Sequence, residues 1–321
     1  MKNSILLSLL FFASGAFAKE KDSLQYNFRE IRFSKIPFIV DDCDGCGGAS
    51  GGSLGFSSML NNNFAGIRYF SQSYSSRDGI FKNSPWIDED FNTIQAWARI
   101  PITSRIQISA LVPYHFLSRE KTSGDENVSG LGDITVLAMY SVVRTVSDST
   151  SAYSHILQLG GGVKAPTGKY KSENNEGSVN PAFQLGTGSW DYLLAAEYVI
   201  RRENLGLNTM LNYTFKTENE KNYRFGDQFN YGSTLFYLLD FESVKLVPQA
   251  GIAGESYKTN SQFGQDLPDT SGNIVFSKFG LEAGRDKLSV GINAMLPISQ
   301  NLTGGRVEAN YRWSVNVNYT L

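Results

Sequence analysis

The chain has 321 residues, with 29 Lys and Arg against 31 Asp and Glu, a formal charge of −2. That balance argues against nucleic acid as a partner, which would need a basic face. Phe (21), Tyr (16) and Gly (31) are plentiful while Pro (9) and His (2) are scarce, which suits many strands joined by turns; past the first residues no apolar run is long enough for a membrane helix.

Residues 1–18 read as a cleaved signal peptide. Lys2 gives a positive start, residues 5–13 a short apolar core, and Ala16-Phe17-Ala18 a small-x-small cleavage site. No cysteine follows that site, so lipid anchoring is not indicated. Residues 19–63 show no sustained alternation. They contain Asp41-Asp42-Cys43-Asp44-Gly45-Cys46 and then a Gly/Ser run, and read as a periplasmic arm or partial plug.

From Phe64 onward twelve segments alternate apolar and polar residues: 64–74, 90–101, 105–117, 131–146, 152–165, 190–201, 204–216, 223–240, 244–257, 273–284, 287–298 and 305–321. The connections after the second, fourth, sixth, eighth and tenth segments are tight. The others, 75–89, 118–130, 166–189, 217–222, 258–272 and 299–304, are long or polar. Alternating short turns and long loops are the signature of an up-and-down antiparallel transmembrane β-barrel, here of about 12 strands at 64–321, with short turns in the periplasm. The last segment is the clearest. From 306 to 321 every odd residue is apolar, including Val307, Tyr311, Trp313, Val315 and Leu321, and every even one polar. Strand side chains alternate between faces, so this run has one dry and one wet side.

A soluble barrel would carry the same pattern turned inside out. Aromatic placement favours lipid outside. Tyr114, Phe116, Trp190, Tyr192, Tyr213, Phe215, Phe229 and Tyr231 fall near one rim, and Tyr140, Tyr153, Tyr198, Tyr237 and Tyr319 near the other. Nearly all share parity with the apolar face, as interfacial girdles do. The opposite parity should face the lumen, where Arg68, Trp97, Arg99, Gln107, Glu308 and Arg312 are the expected solute contacts. Leu137, Met139, Leu193, Met210, Phe236 and Met295 share that parity. This mixture points either to a narrow channel tolerant of partly apolar solutes, rather than a wide water-filled pore, or to charges that simply pair and fill the interior.

Three runs in order carry a resemblance. They are Gly130-Leu131-Gly132-Asp133-Ile134, Gly162-Val163-Lys164-Ala165-Pro166-Thr167-Gly168 and Leu185-Gly186-Thr187-Gly188-Ser189-Trp190-Asp191. Together they resemble the meta-pathway phenol-degradation family of outer-membrane channel proteins, well over 130–200 and by pattern elsewhere. The resemblance implies a twelve-stranded channel for small, often aromatic, compounds; the Cys-bearing arm departs from the family pattern. Physically, Pro166 cannot donate to a ladder and should end the fifth strand. Gly186 and Gly188 permit a tight bend before Trp190.

Candidate chemistry is sparse. Cys43 and Cys46 read as a local disulfide in an oxidising compartment; a metal or redox site with Asp41, Asp42 and Asp44 is the alternative, although zinc normally takes four good ligands and no histidine lies nearby. No covalent haem attachment is indicated. An outer-membrane lipid-ester hydrolase would need a lipid-facing His beside a Ser, and His155 with Ser154 and Ser151 is the only such grouping. No nucleophile motif surrounds it, and His115 has lumen parity, so no catalytic residue, metal or cofactor is assigned. The sequence thus predicts a passive, non-enzymatic outer-membrane channel whose partners are the lipid bilayer and small solutes. A lipid-ester hydrolase and a docking barrel that offers its arm to a periplasmic protein are the alternatives.

Overall fold

The computed structural model describes residues 59–60, 63–79, 81, 83–121, 123–145, 152–171 and 180–321. The signal peptide, most of the arm, and Cys43 and Cys46 lie outside the described residues.

Twelve antiparallel staves form the wall. They are β1 (Phe64–Arg77), β2 (Trp86–Pro101), β3 (Ile106–Lys121), β4 in two segments (Gly124–Leu131 and Ile134–Arg144), β5 (Tyr153–Ala165), β6 (Asp191–Arg202), β7 (Leu205–Phe215), β8 (Gln228–Tyr237, continued by Leu239–Phe241), β9 (Val244–Tyr257), β10 (Gly272–Arg285), β11 (Leu288–Leu302) and β12 (Val307–Thr320). Each pairs with its neighbours in sequence. β1 pairs with β12 from Phe64↔Thr320 to Ser76↔Val307, which closes the cylinder. Closure leaves no edge, so the wall satisfies its own backbone groups, as a lipid environment demands. Among the described residues no helix is long and apolar enough to cross a membrane; the strands make the crossing.

The tight turns fall at one end, where Glu203, Glu242 and Asp286 take φ of 52°, 45° and 52°. β5 ends at Ala165, immediately before Pro166. The apolar parity faces outward. Ile67, Ile94, Val136, Leu159, Leu194, Leu235, Ile252, Phe279, Ile292 and Val317 are exposed. Rings flank this band, Tyr114, Phe116, Trp190, Tyr192 and Phe215 toward the long loops and Tyr140, Tyr153, Tyr198, Tyr237 and Tyr319 toward the tight turns. An apolar exterior over a buried set of Arg, Lys, Glu, Asn and Gln is a membrane barrel, with the tight-turn end periplasmic.

Three features depart from the sequence reading. Residues 118–130 are not an open loop: β3 runs on to Lys121 and pairs with Gly124–Leu131 as a projecting hairpin. Pro113 has no N–H to give the ladder, and β4 breaks opposite it at Gly132-Asp133, where Gly132 N–H reaches Pro113 O at 2.9 Å. The break switches parity and turns Asp133 inward, fully buried. Residues 223–227 do not extend the wall; Tyr223–Arg224 pairs with Ser261–Gln262 above the rim.

The third departure is on the closing strand. Between Ser73↔Tyr311 and Tyr74↔Ala309 the register slips, leaving Asn310 as the extra residue of a bulge. Below it the even residues Arg312, Ser314, Asn316 and Asn318 are buried; above it Val307 and Ala309 are. Val307 and Ala309 therefore face the lumen, and Glu308 faces outward.

Candidate functional site

The candidate site is the lumen. Of the residues expected there, Arg68, Trp97, Arg99, Gln107 and Arg312 lie on the inner face and are at least nine-tenths buried. Glu308 is corrected: the bulge at Asn310 puts its carboxylate on the outer surface of the rim. Gln107 accepts from Gln158 Nε2 at 3.3 Å. The guanidinium of Arg68 donates to Gln95 and lies 4.6 Å from the centre of the Trp97 ring.

At the outer end residues 180–190, which lead into β6, bring apolar side chains into the barrel. Phe183 is wholly buried and joins Leu185, Tyr74, Phe91, Leu117, Ile274, Phe276, Met295, Leu302 and Val307 in one apolar cluster. These residues come from β1, β2, β3, β10, β11 and β12, so the cluster crosses the lumen. Arginines are set within it. Arg119 lies 4.1 Å from the Phe183 ring centre, and Arg312 lies 4.4 Å from that of Phe276. Arg312 also donates to Tyr74 Oη at 2.7 Å and to Glu255 Oε2 at 3.1 Å. Asn180 donates to Glu89.

The three sequence runs that carry the family resemblance meet at the root of the loop between β5 and β6. Asp133 accepts from Gly168 N–H (3.0 Å), Thr187 N–H (2.9 Å) and Thr187 Oγ1 (3.0 Å). Lys164 Nζ reaches Asp133 at 3.1 Å and Asp191 at 2.8 Å. Lys216 Nζ reaches Asp191 at 3.0 Å. All four charges are buried. Such a network survives in a low-dielectric place only because each charge is paired and hydrogen-bonded. Gly186 packs against Gly168 and Asp133 where no Cβ would fit, and Gly188 takes φ of +71°. The motifs therefore build a latch that fixes the loop inside the barrel.

Lower down, Leu137, Met139, Leu193, Ala195 and Met210 form a second apolar cluster on β4, β6 and β7. At the inner mouth Met59 packs with Ile156, Val199, Phe236, Leu238 and Val247. The backbone N–H groups of Met59 and Leu60 both point at Glu282 Oε2, the second at 3.2 Å. Ser289 Oγ donates to the other oxygen at 2.9 Å.

Sequence reasoning missed Phe183, Leu185, Asn180 and the latch. The available signal was two large apolar residues in an otherwise polar loop, flanked by motifs bearing Asp133, Lys164 and Asp191. Ser151, named in the His155 grouping, lies outside the described residues. His155 Nδ1 and Tyr198 Oη hydrogen-bond at 2.7 Å in the inner aromatic girdle. His115 is buried in the lumen, with Nδ1 2.8 Å from Thr93 Oγ1. Arg105 sits in a turn, exposed, and donates to Tyr140 Oη at 3.2 Å.

Outside the membrane, Asp227 organises the outer rim. It accepts from Lys216 N–H (3.1 Å), Tyr213 Oη (3.1 Å), Arg224 Nη2 (2.9 Å) and Lys258 Nζ (3.2 Å). Burial raises its carboxyl, but these donors outweigh that effect and hold it below the ordinary value of 3.8.

Residues 91–320 match the family model described as "Putative MetA-pathway of phenol degradation". No curated protein matches the sequence. Among solved structures, the chain is similar to an outer membrane channel from Pseudomonas putida F1. The TM-score is 0.62 at 16% identity, covering 83% of this chain and 98% of that one. The beta domain of the Bordetella autotransporter BrkA follows at TM-score 0.47 and 12% identity, with 81% and 99% covered. At 16% identity the likeness to the Pseudomonas channel is one of fold.

Proposed function

The chain belongs to the family described as the putative MetA-pathway of phenol degradation, and from that membership and its lumen we propose a passive outer-membrane channel for small apolar and aromatic solutes. The observation that carries the reading is apolar material inside a lipid-embedded cylinder. The Phe183 cluster, the Leu137–Met139–Leu193–Met210 cluster and the Met59 cluster succeed one another from outer to inner mouth. A wide aqueous pore would line this route with polar groups. Apolar stepping stones admit a ring that can leave water and hold back hydrated ions and sugars. Arg68, Trp97, Arg99, Gln107 and Arg312 are the solute contacts on this reading.

The same reading makes residues 19–63 an arm whose end partly plugs the inner mouth. The contacts of Met59 and Leu60 with Glu282 support that. The barrel's role is transport rather than catalysis; the hydrogen bond of His155 to Tyr198 in the girdle supports a structural part for that histidine.

The test is flux. Mature protein in liposomes should pass phenols and small aromatic hydrocarbons faster than sugars of similar size. Folded protein that conducts neither ions nor solutes in planar bilayers or liposomes overturns the reading. A detergent-solubilised sample that cleaves lipid esters, and loses that activity in His155→Ala, would replace it with an enzyme.

A further inference from the structure

The outer surface of the wall is hollowed at its periplasmic rim. A groove of about 540 Å³ runs between the ends of β9, β10, β11 and β12. Its floor is apolar, formed by Val244, Ala283, Leu288, Val290 and Tyr319. Leu288, Val290 and Tyr319 are exposed on the outward face. Ala283 makes the hollow. It stands between Leu246 on β9 and Val290 on β11, and its single methyl group leaves a gap in that row. One row further into the wall, the larger Leu281 stands between Pro248 and Ile292, and none of these three lines the groove.

Two cations stand at its mouth. Arg285 has the outward parity of Leu281 and Ala283 and lines the groove. Lys287, in the β10–β11 turn, also lines it, with Nζ 5.5 Å from the centre of the Tyr319 ring. Asp286 lies between them at the tip of the turn. Its carboxylate is 3.8 Å from Arg285 Nε, and both side chains are largely exposed. Two positive charges and one negative leave the turn with a surplus of one positive charge. Tyr319 belongs to the inner aromatic girdle, so the cations sit at headgroup level while Ala283 and Val290 lie deeper, toward hydrocarbon. The groove therefore suits a ligand with an anionic acceptor at one end and a long apolar body at the other.

We propose that this groove binds one anionic phospholipid of the periplasmic leaflet, its phosphate between Arg285 and Lys287 and an acyl chain along Ala283 and Val290. Guanidinium and ammonium groups only donate, and a phosphate diester offers them acceptor oxygens and one negative charge. That charge matches the surplus on the turn. A choline headgroup would bring its own cation back toward Arg285 and Lys287, and gains less. A free phosphate would leave the apolar floor bare, whereas a lipid covers it and adds the burial of its chain to the attraction of its headgroup. The turn lies at the periplasmic end, so the lipid comes from that leaflet. The site is independent of what crosses the lumen.

The experiment uses the mature chain folded in a mild detergent. It is titrated with phosphatidylglycerol and phosphatidylcholine of matched acyl chains, and the one-to-one lipid complex is followed by native mass spectrometry. Phosphatidylglycerol should bind several-fold more tightly than phosphatidylcholine. Arg285→Gln and Lys287→Gln should each weaken it by about fivefold, and together by about tenfold or more. Ala283→Leu fills the hollow and leaves both cations, so it should weaken both lipids alike. Arg105→Gln, at a different turn of the same rim, should leave the affinity as in wild type. Equal binding of the two lipids by wild type, or wild-type affinity for phosphatidylglycerol in the folded double variant, overturns the site. So does an equal loss in Arg105→Gln, which would mean a general attraction of the rim for anionic lipid. Displacement of the bound lipid by inorganic phosphate, with no effect of Ala283→Leu, would make this an ion site and overturn the lipid.

Discussion

Lys164 on β5 and Asp191 on β6 stand directly opposite each other, Nζ to Oδ2 2.8 Å, and the loop between them carries Phe183 and Leu185 of the cluster that crosses the lumen. The ion pair is thus the clasp of that loop. Asp133 from the β4 break and Lys216 from the end of β7 close the same network. Replacing Lys164 by Met leaves two carboxylates buried without their shared cation, a loss of about 3–5 kcal/mol where nothing relaxes. Here the loop can relax by leaving. Lys164→Met should therefore still form a barrel, and its single-channel conductance should rise several-fold as the Phe183 cluster opens. A variant with wild-type conductance and wild-type stability would mean the latch holds nothing.

Lipid contact along β12 is read from parity below the bulge. Val315 faces out and Asn316 faces in, adjacent in sequence and opposite in environment. Val315→Arg should cost about 2–4 kcal/mol at mid-bilayer, and Asn316→Arg much less. Reversible urea unfolding from lipid vesicles gives both numbers. Equal losses would contradict the assignment of faces.

Above the bulge the parity reverses, which yields a separate expectation. Cysteine at position 308 should react with a membrane-impermeant thiol reagent added outside intact cells. Cysteine at 307, on the lumen side within the Phe183 cluster, should be protected unless the Lys164→Met change is also present. The comparison reads the register slip at Asn310 directly.

That bulge marks where sequence reading stops. Twelve staves, their order, the tight-turn end and the outward apolar face follow from period-two alternation, because a strand face repeats every second residue whatever its neighbours do. Arg68, Trp97 and Arg99 are placed by the same count. Glu308 is not, because alternation across 306–321 is unbroken on paper while the backbone inserts one unpaired residue. The parity switch at Gly132-Asp133 has a written cue, a proline on the partner strand, but the pairing that brings Pro113 opposite it is not local. Phe183 and Leu185 escaped for a different reason: a loop has no period, so nothing in its spacing says that it turns inward. Asp133, Lys164 and Asp191 were visible as motif residues and silent as a cluster, since their meeting depends on β4, β5 and β6 lying side by side.

Asp227 gives a pH expectation for the outer rim. Its folded carboxyl titrates below the ordinary 3.8, so the folded state holds fewer protons than the unfolded one through that range. The stabilisation is fully present above pH 3.8 and is lost as pH falls through the lower folded value. Asp227→Asn should raise protease cleavage between β7 and β8 at neutral pH, and wild type should approach the variant only in strong acid. A difference that persists unchanged in strong acid would show that the carboxylate's charge is not what orders the rim.

The inner mouth offers the last contrast. Glu282 accepts two backbone N–H groups from Met59 and Leu60 and a hydroxyl from Ser289. Hydrogen bonds to a charged acceptor contribute about 1.5–3 kcal/mol each, so Glu282→Gln weakens the hold on residues 59–60 without opening a hole in the wall. Met59→Ala removes the side chain that fills the space among Ile156, Val199, Phe236 and Val247, normally a change of about 2–5 kcal/mol. Met59, however, precedes the first strand, and on the proposed partial-plug reading of residues 19–63 it withdraws where a wall residue cannot. Both variants should leave the unfolding midpoint close to wild type while raising conductance and exposing residues 19–63 to protease. A large drop in stability with unchanged conductance would place Met59 in the permanent core of the barrel rather than at the tip of a removable plug.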